Sequence, residues 1–129
     1  MVPEGLRYTA EHEWITTSEG DPSVVRVGIT DYAQDQLGDV VYVQLPTVGA
    51  SVSSGESIAE VESTKSVSEI YAPLDGEVTA VNDGLTDTPE LINSDPYGSG
   101  WMMELRLADA ESVSELLEAS AYQQLVDGS

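Results

Sequence analysis

The 129-residue chain contains no cysteine, no phenylalanine, one histidine and one lysine. Without cysteine there are no disulfides, thiol nucleophiles or thiolate metal sites. With His12 alone, a three-histidine zinc site is excluded, and any Ser-His-Asp enzyme would have to use that residue. The basic residues are Arg7, Arg26, Lys65 and Arg106, set against 24 Asp or Glu, for a formal net charge of −20. A surface this acidic repels phosphate backbones and anionic lipid, which argues against nucleic acid or membranes as partners. No apolar run approaches the 18 residues of a membrane span. The opening MVPEGLRY has neither a basic stretch nor an apolar core, so the expected location is cytoplasmic.

What is present suits one folded domain over residues 1–129. Hydrophobic residues make up 40% of the chain, too many for a disordered acidic tail. The carboxylates are spread along the whole sequence rather than gathered in one segment. Diffuse acidity with almost no lysine is the pattern of a protein from a salt-rich, halophilic cytoplasm. There, at about 1 M salt, a Debye length of ~3 Å screens self-repulsion.

Strand signals dominate residues 23–107, with one short helix near 30–37. Ser23–Ile29 is β-rich. Thr30 is a candidate N-cap with Asp31 in the first turn, and Gly38 sits where a left-handed C-terminal residue belongs. Asp39–Leu45 returns to strand and Trp101–Leu107 supplies the last one. Pro46–Val52 is echoed by Pro73–Val78, 27 residues on, as two related halves of a small sandwich would be. Over 109–126 the period becomes helical through Val113, Leu116, Leu117 and Leu125, with Asp109 or Ser112 as cap. The expectation is a C-terminal helix packed on the β core.

The informative stretch surrounds the lysine. Ala59, Val61 and Ser63 alternate with Ile58, Glu60 and Glu62 before it, and Ser68, Ile70 and Ala72 alternate with Val67, Glu69 and Tyr71 after it. Gly55 lies 10 residues before Lys65 and Gly76 lies 11 after. Two strands of nearly equal length therefore meet at a tip occupied by the only lysine. Catalytic Schiff-base lysines sit desolvated in apolar pockets. A tip lysine is instead either an ordinary solvated surface residue or, as the only lysine at the centre of a symmetric hairpin suggests, a good acylation site for a modifying enzyme.

The same residues, with others in order along nearly the whole chain, resemble the H-protein family of the glycine cleavage system. The likeness runs through Leu6–Trp14 with its His12-Glu13-Trp14, Gly28–Gln34, Leu37–Val43, Val61–Lys65, Ala72–Val78, Leu91–Asn93, Asp95–Gly98, Gly100–Trp101 and Glu115–Tyr122. It implies a mainly β barrel-sandwich hybrid of the lipoyl and biotinyl carrier type, with flanking helices and a lysine-tipped hairpin. It further implies lipoate in amide linkage on Lys65. The arm would take the aminomethyl group from a pyridoxal-phosphate glycine decarboxylase and pass it to a tetrahydrofolate-dependent aminomethyltransferase. A dihydrolipoyl dehydrogenase would reoxidise it, so the protein would be a carrier and not an enzyme. Glu62 and Gly55 match positions read by the lipoate-attaching enzyme, and Glu13 and Glu69 match positions near the docked arm. A carboxylate there would attract the cationic amine of the loaded arm.

Other readings are weaker. Thr64 and Ser66 stand where biotin carriers have methionines and where this family usually has small apolar residues, and Tyr32 stands where histidine is frequent. A 2-oxoacid dehydrogenase lipoyl domain would lack His12-Glu13-Trp14 and the extension from Trp101 to Leu125. An H-like protein serving only lipoate relay would have the same hairpin. No aspartate loop has calcium-ligand spacing, and the acids do not converge on a metal-hydrolase pattern.

Overall fold

The computed structural model describes every residue except Met1, Glu19 and Ser129, with Ser18 described by its backbone alone. Among the described residues nine strands form two sheets, with antiparallel pairings throughout. The larger sheet runs in the order β1 (Arg7–Tyr8), β2 (Glu13–Ser18), β3 (Asp21–Ile29), β9 (Met103–Leu107), β8 (Gly76–Val81) and β5 (Ser51–Val52). The smaller one pairs β4 (Val40–Gln44), β6 (Ser57–Ser63) and β7 (Val67–Tyr71). Both sheets are open, so the expected barrel-sandwich hybrid appears as a sandwich without a closed barrel. The echo between Pro46–Val52 and Pro73–Val78 has a physical counterpart. The two segments bond to each other, Gly49 N–H to Val78 O at 2.8 Å and Val78 N–H to Ala50 O at 2.9 Å.

Between the sheets lies an aliphatic core in which Val25, Val27, Val61, Val78 and Leu105 are fully buried. Burying each such side chain is worth about 1.5–3 kcal/mol. A second, aromatic cluster of Tyr8, Trp14 and Tyr122 covers the other face of β2. That is why β1 and β2 fall outside the strand-rich region read from residue 23 onward. Glu13, Trp14 and Ile15 are buried in succession, so the period-two alternation that marks a half-exposed strand is missing. Across the ladder from Trp14 stands Gly28. A β-carbon at Gly28 would come within 2.7 Å of the indole ring, so this glycine makes room for the ring.

The short helix α1 (Asp31–Leu37) forms as its caps require. Thr30 Oγ1 accepts from Ala33 N–H at 3.2 Å, and Gly38 ends the helix at φ +83° with its N–H on Gln34 O. Two further short helices, α2 (Gly84–Asp87) and α3 (Leu91–Ser94), interrupt the 23–107 stretch, which the sequence predicts to be β-rich with a helix only near 30–37. They bury Leu85 and Ile92 in the sheet core.

The helix expected over 109–126 is divided. Ala110–Glu115 is a 3₁₀ turn, and only α4 (Ala119–Asp127) is α-helical. Asp109 does cap the first piece, accepting from Glu111 N–H. Ser112 and Ser114 then donate to the carbonyls of Asp109 and Glu111, three residues back, which competes with a regular helical ladder. At Leu117 the chain becomes extended and exchanges two backbone hydrogen bonds with Tyr8, at 2.8 and 2.9 Å. The apolar stripe is thereby split, with Val113 and Leu116 against the sheet core and Leu117 and Leu125 in the aromatic cluster.

Candidate functional site

The hairpin of β6 and β7 turns through Thr64, Lys65 and Ser66. Ala59, Val61, Ile70 and Ala72 face the core, while Glu60, Glu62 and Val67 line the opposite face or its rim. Ser63 organises the tip. Its N–H donates to Ser66 O at 2.8 Å, and its hydroxyl accepts from Lys65 and Ser66 N–H while donating to Ser66 O. The tip does not stand free of the body, because Thr64 N–H donates to Asp39 O at 3.1 Å.

Lys65 is exposed, yet its stem lies across the end of α1. A β-carbon on Gly38 would stand 3.1 Å from Lys65 Cε, so glycine there serves both the left-handed turn and the lysine's path. Beneath this junction Asn93, on α3, makes three bonds. Its amide donates to Gln34 Oε1 and Gly38 O, and its Oδ1 accepts from Val40 N–H, all at 2.9 Å. One side chain thus ties α1, its terminal glycine and β4 into a platform for the lysine. Arg7, Arg26 and Arg106 each pair with a carboxylate; Lys65 does so with none among the described residues.

Beside the tip, between α1 and the free edge of β7, runs a groove of about 400 Å³. Its walls include Ile29, Ala33, Leu37, Val67 and Ile70, with Tyr32, His12 and Glu11 also on them. A second cavity, of about 570 Å³, lies at the hairpin's base and contains Glu13, Gly55, Tyr71 and again Glu11.

Glu13 is almost wholly buried, at 1% exposure. Thr9 Oγ1 donates to its Oε1 at 3.1 Å, and Tyr71 N–H, on the free edge of β7, donates to Oε2 at 2.8 Å. Desolvation outweighs both hydrogen bonds and pushes its carboxyl up from 4.5 to about 7. A carboxyl whose folded value is raised favours the folded state while it holds its proton. Its contribution is therefore fully present below about pH 4.5 and lost as pH rises to about 7. The Glu13→Gln variant should gain stability over the parent between pH 5 and pH 8, on the order of 3 kcal/mol at full effect. Urea unfolding of both proteins at the two pH values measures it, and a difference independent of pH contradicts the assignment.

The other sequence candidates separate. Glu69 stands on the exposed face, accepting from Ser57 Oγ and Tyr71 OH at 3.2 Å each, and is on the wall of neither cavity. Glu62 is exposed next to the tip, between Tyr42 on β4 and Val67 on β7. Gly55, at φ +86°, lies beyond the far end of β6 with its N–H on Ala72 O. Seven residues of strand, about 23 Å, separate it from the tip. His12 adopts φ +68°, and its Nδ1 is 2.8 Å from Tyr122 OH, which also bonds Thr30 Oγ1. Burial holds its pKa below the ordinary value. These contacts brace α4 against α1.

Asn93, Ser63 and Glu11 are site residues to which the sequence reading assigned no role. Among the described residues no His, Cys, Asp and Glu group could hold a metal ion, and no helix is long and apolar enough to cross a membrane.

A family model described as glycine cleavage H-protein matches residues 6–129. The glycine cleavage system H protein of Nocardia farcinica is 58% identical over 132 residues, covering 99% of this chain and 98% of that protein. That of Mycobacterium avium is 56% identical over 126 residues, covering 95% and 94%. The crystal structure of a glycine cleavage system H protein from Mycobacterium marinum superposes with a TM-score of 0.85 at 48% identity, covering 95% of this chain and 96% of that one.

Proposed function

The chain belongs to the glycine cleavage H-protein family, and on that premise we propose that it is the system's lipoyl carrier, acylated on Lys65. The observation that carries this is the placement of the only lysine at a braced, exposed hairpin tip beside an apolar groove. The residues present fit a long acyl amide with a cationic end. Apolar side chains wall the groove next to Lys65, Glu11 stands on its wall, and Glu13 lies in the cavity that shares Glu11 with it. When bound, a lipoyl group supplies the redox-active dithiolane on which the aminomethyl fragment of glycine is carried.

The chain's own residues do the positioning. Ser63 and Asn93 hold the tip and its platform, and Gly38 leaves a path for the lysine stem. Ile29, Leu37 and Ile70 keep water from an arm lying in the groove. Glu11 and Glu13 present carboxylates to a cationic amine, and such a neighbour would return Glu13 to its ionised form. Glu69 offers a further carboxylate from the outer face. Glu62 is read beside the tip by the lipoate-attaching enzyme, whereas Gly55 acts through the turn that sets the hairpin's shape.

The partners on this reading are the pyridoxal-phosphate glycine decarboxylase, the tetrahydrofolate-dependent aminomethyltransferase, dihydrolipoyl dehydrogenase and the lipoate-attaching enzyme, all cytoplasmic. The protein itself catalyses nothing. Lipoylated protein reconstituted with the decarboxylase should support glycine-dependent exchange of CO₂. Lipoylation without exchange would instead identify a lipoate relay.

The net charge of −20 is a separate proposal, that the chain works in concentrated salt. Its melting temperature should then rise between dilute buffer and molar salt. Circular-dichroism melts that coincide in the two solvents overturn it.

A further inference from the structure

Four large hydrophobic residues are exposed among the described residues: Val41, Tyr42, Val48 and Val67. Three of them gather around the lysine tip. Register places Tyr42 opposite Glu62, and Glu62 opposite Val67, as one row across β4, β6 and β7. Val41 joins them because a bulge between Val40 and Tyr42 breaks the alternation of β4 and exposes both residues. The next row is Gln44, Glu60 and Glu69. Tyr42 is 54% exposed, and its hydroxyl has no hydrogen-bond partner among the described residues. A large amphipathic ring with a free hydroxyl, next to apolar neighbours and rimmed by carboxylates, has the make-up of an interface anchor.

We infer that this outer face of β4, β6 and β7 is where the lipoate-attaching enzyme docks, through an apolar pocket for Tyr42 rimmed by Lys or Arg. The inference rests on the carrier reading above. Charge complementarity sets the partner's chemistry, since Glu60, Glu62 and Glu69 are the charged residues of these two rows. Reach selects which partner. Enzymes that act on the dithiolane work at the far end of the arm and need not touch the row beside the tip. An acylating enzyme must bring an activated lipoyl carbonyl to Nζ itself. There the amide C–N bond forms, the bond from the acyl carbon to its activating group breaks, and Nζ gives up its proton. Lys65 is held against Gly38, so the enzyme has to cover the tip and therefore the adjoining row.

The test uses unmodified full-length protein with lipoate–protein ligase, lipoate and ATP. Tyr42→Ser and Glu62→Gln should each raise KM for the carrier about tenfold with kcat little changed, and Val41→Ser should act in the same direction. Once fully lipoylated by excess ligase, Tyr42→Ser should support the decarboxylase exchange at the parental rate. Parental KM values in both the Tyr42 and Val41 variants overturn the docking face. Equal losses in acylation and exchange overturn its assignment to the acylating enzyme. Failure of the parent to be lipoylated at all would instead overturn the carrier reading.

Discussion

Lys65→Arg is expected to abolish carrier turnover while leaving the fold in place. Arginine keeps the positive charge and a comparable stem, and residue 65 is exposed at a tip whose hydrogen bonds come from the backbone and Ser63. A guanidinium stays protonated and offers no acylatable amine. With no second lysine in the chain, no other side-chain amine can substitute. Glycine-dependent exchange should fall to the level without carrier, a loss of at least about a thousandfold, equivalent to roughly 4 kcal/mol. The melting temperature should match that of the parent. Residual exchange within tenfold of the parent would mean that the group is carried elsewhere.

The second large effect is expected at Asn93. Asn93→Ala removes three hydrogen bonds at once and leaves Val40 N–H and Gly38 O without that partner. These bonds are only partly buried, so each orphaned group costs toward the lower end of about 1–3 kcal/mol, and the variant should lose about 2 kcal/mol in urea unfolding. The same loss frees Gly38, over which the lysine stem lies, and uncouples α1 from β4. Lipoylation should slow at saturating ligase as well as at low protein, which separates Asn93 from the docking row beside the tip. A destabilisation below about 1 kcal/mol with unchanged lipoylation would remove Asn93 from the platform.

Asn93 also shows where sequence reasoning stops. Its partners Gln34, Gly38 and Val40 lie 53–59 residues away, and an Asn in Leu-Ile-Asn-Ser has no local signature of such a role. Glu13 is similar. Nothing around a carboxylate between His12 and Trp14 indicates that it is buried against the free edge of β7.

The hairpin was legible for the opposite reason. One face of β6 and β7 is buried and the other exposed, so Ala59, Val61, Ile70 and Ala72 carry a clean period of two. Helix α1 was legible because Thr30 and Gly38 are local caps. The C-terminal stripe misled because Val113, Leu116 and Leu117 keep helical spacing while serving two different cores. Periodicity records which residues are apolar, not whether one surface or two receives them.

The acidic composition acquired a sharper meaning at one place. Spread over the chain it excludes partners, but beside Lys65 the carboxylates alternate with exposed apolar side chains and specify a surface.

The account depends above all on Lys65 as the modified residue. Intact-mass measurement of protein purified from its native host, followed by peptide mapping, tests this most directly. The expected result is the increment of one lipoyl amide, located on the peptide that contains Lys65. An unmodified lysine in cells that actively degrade glycine, or a biotinyl increment, would contradict it.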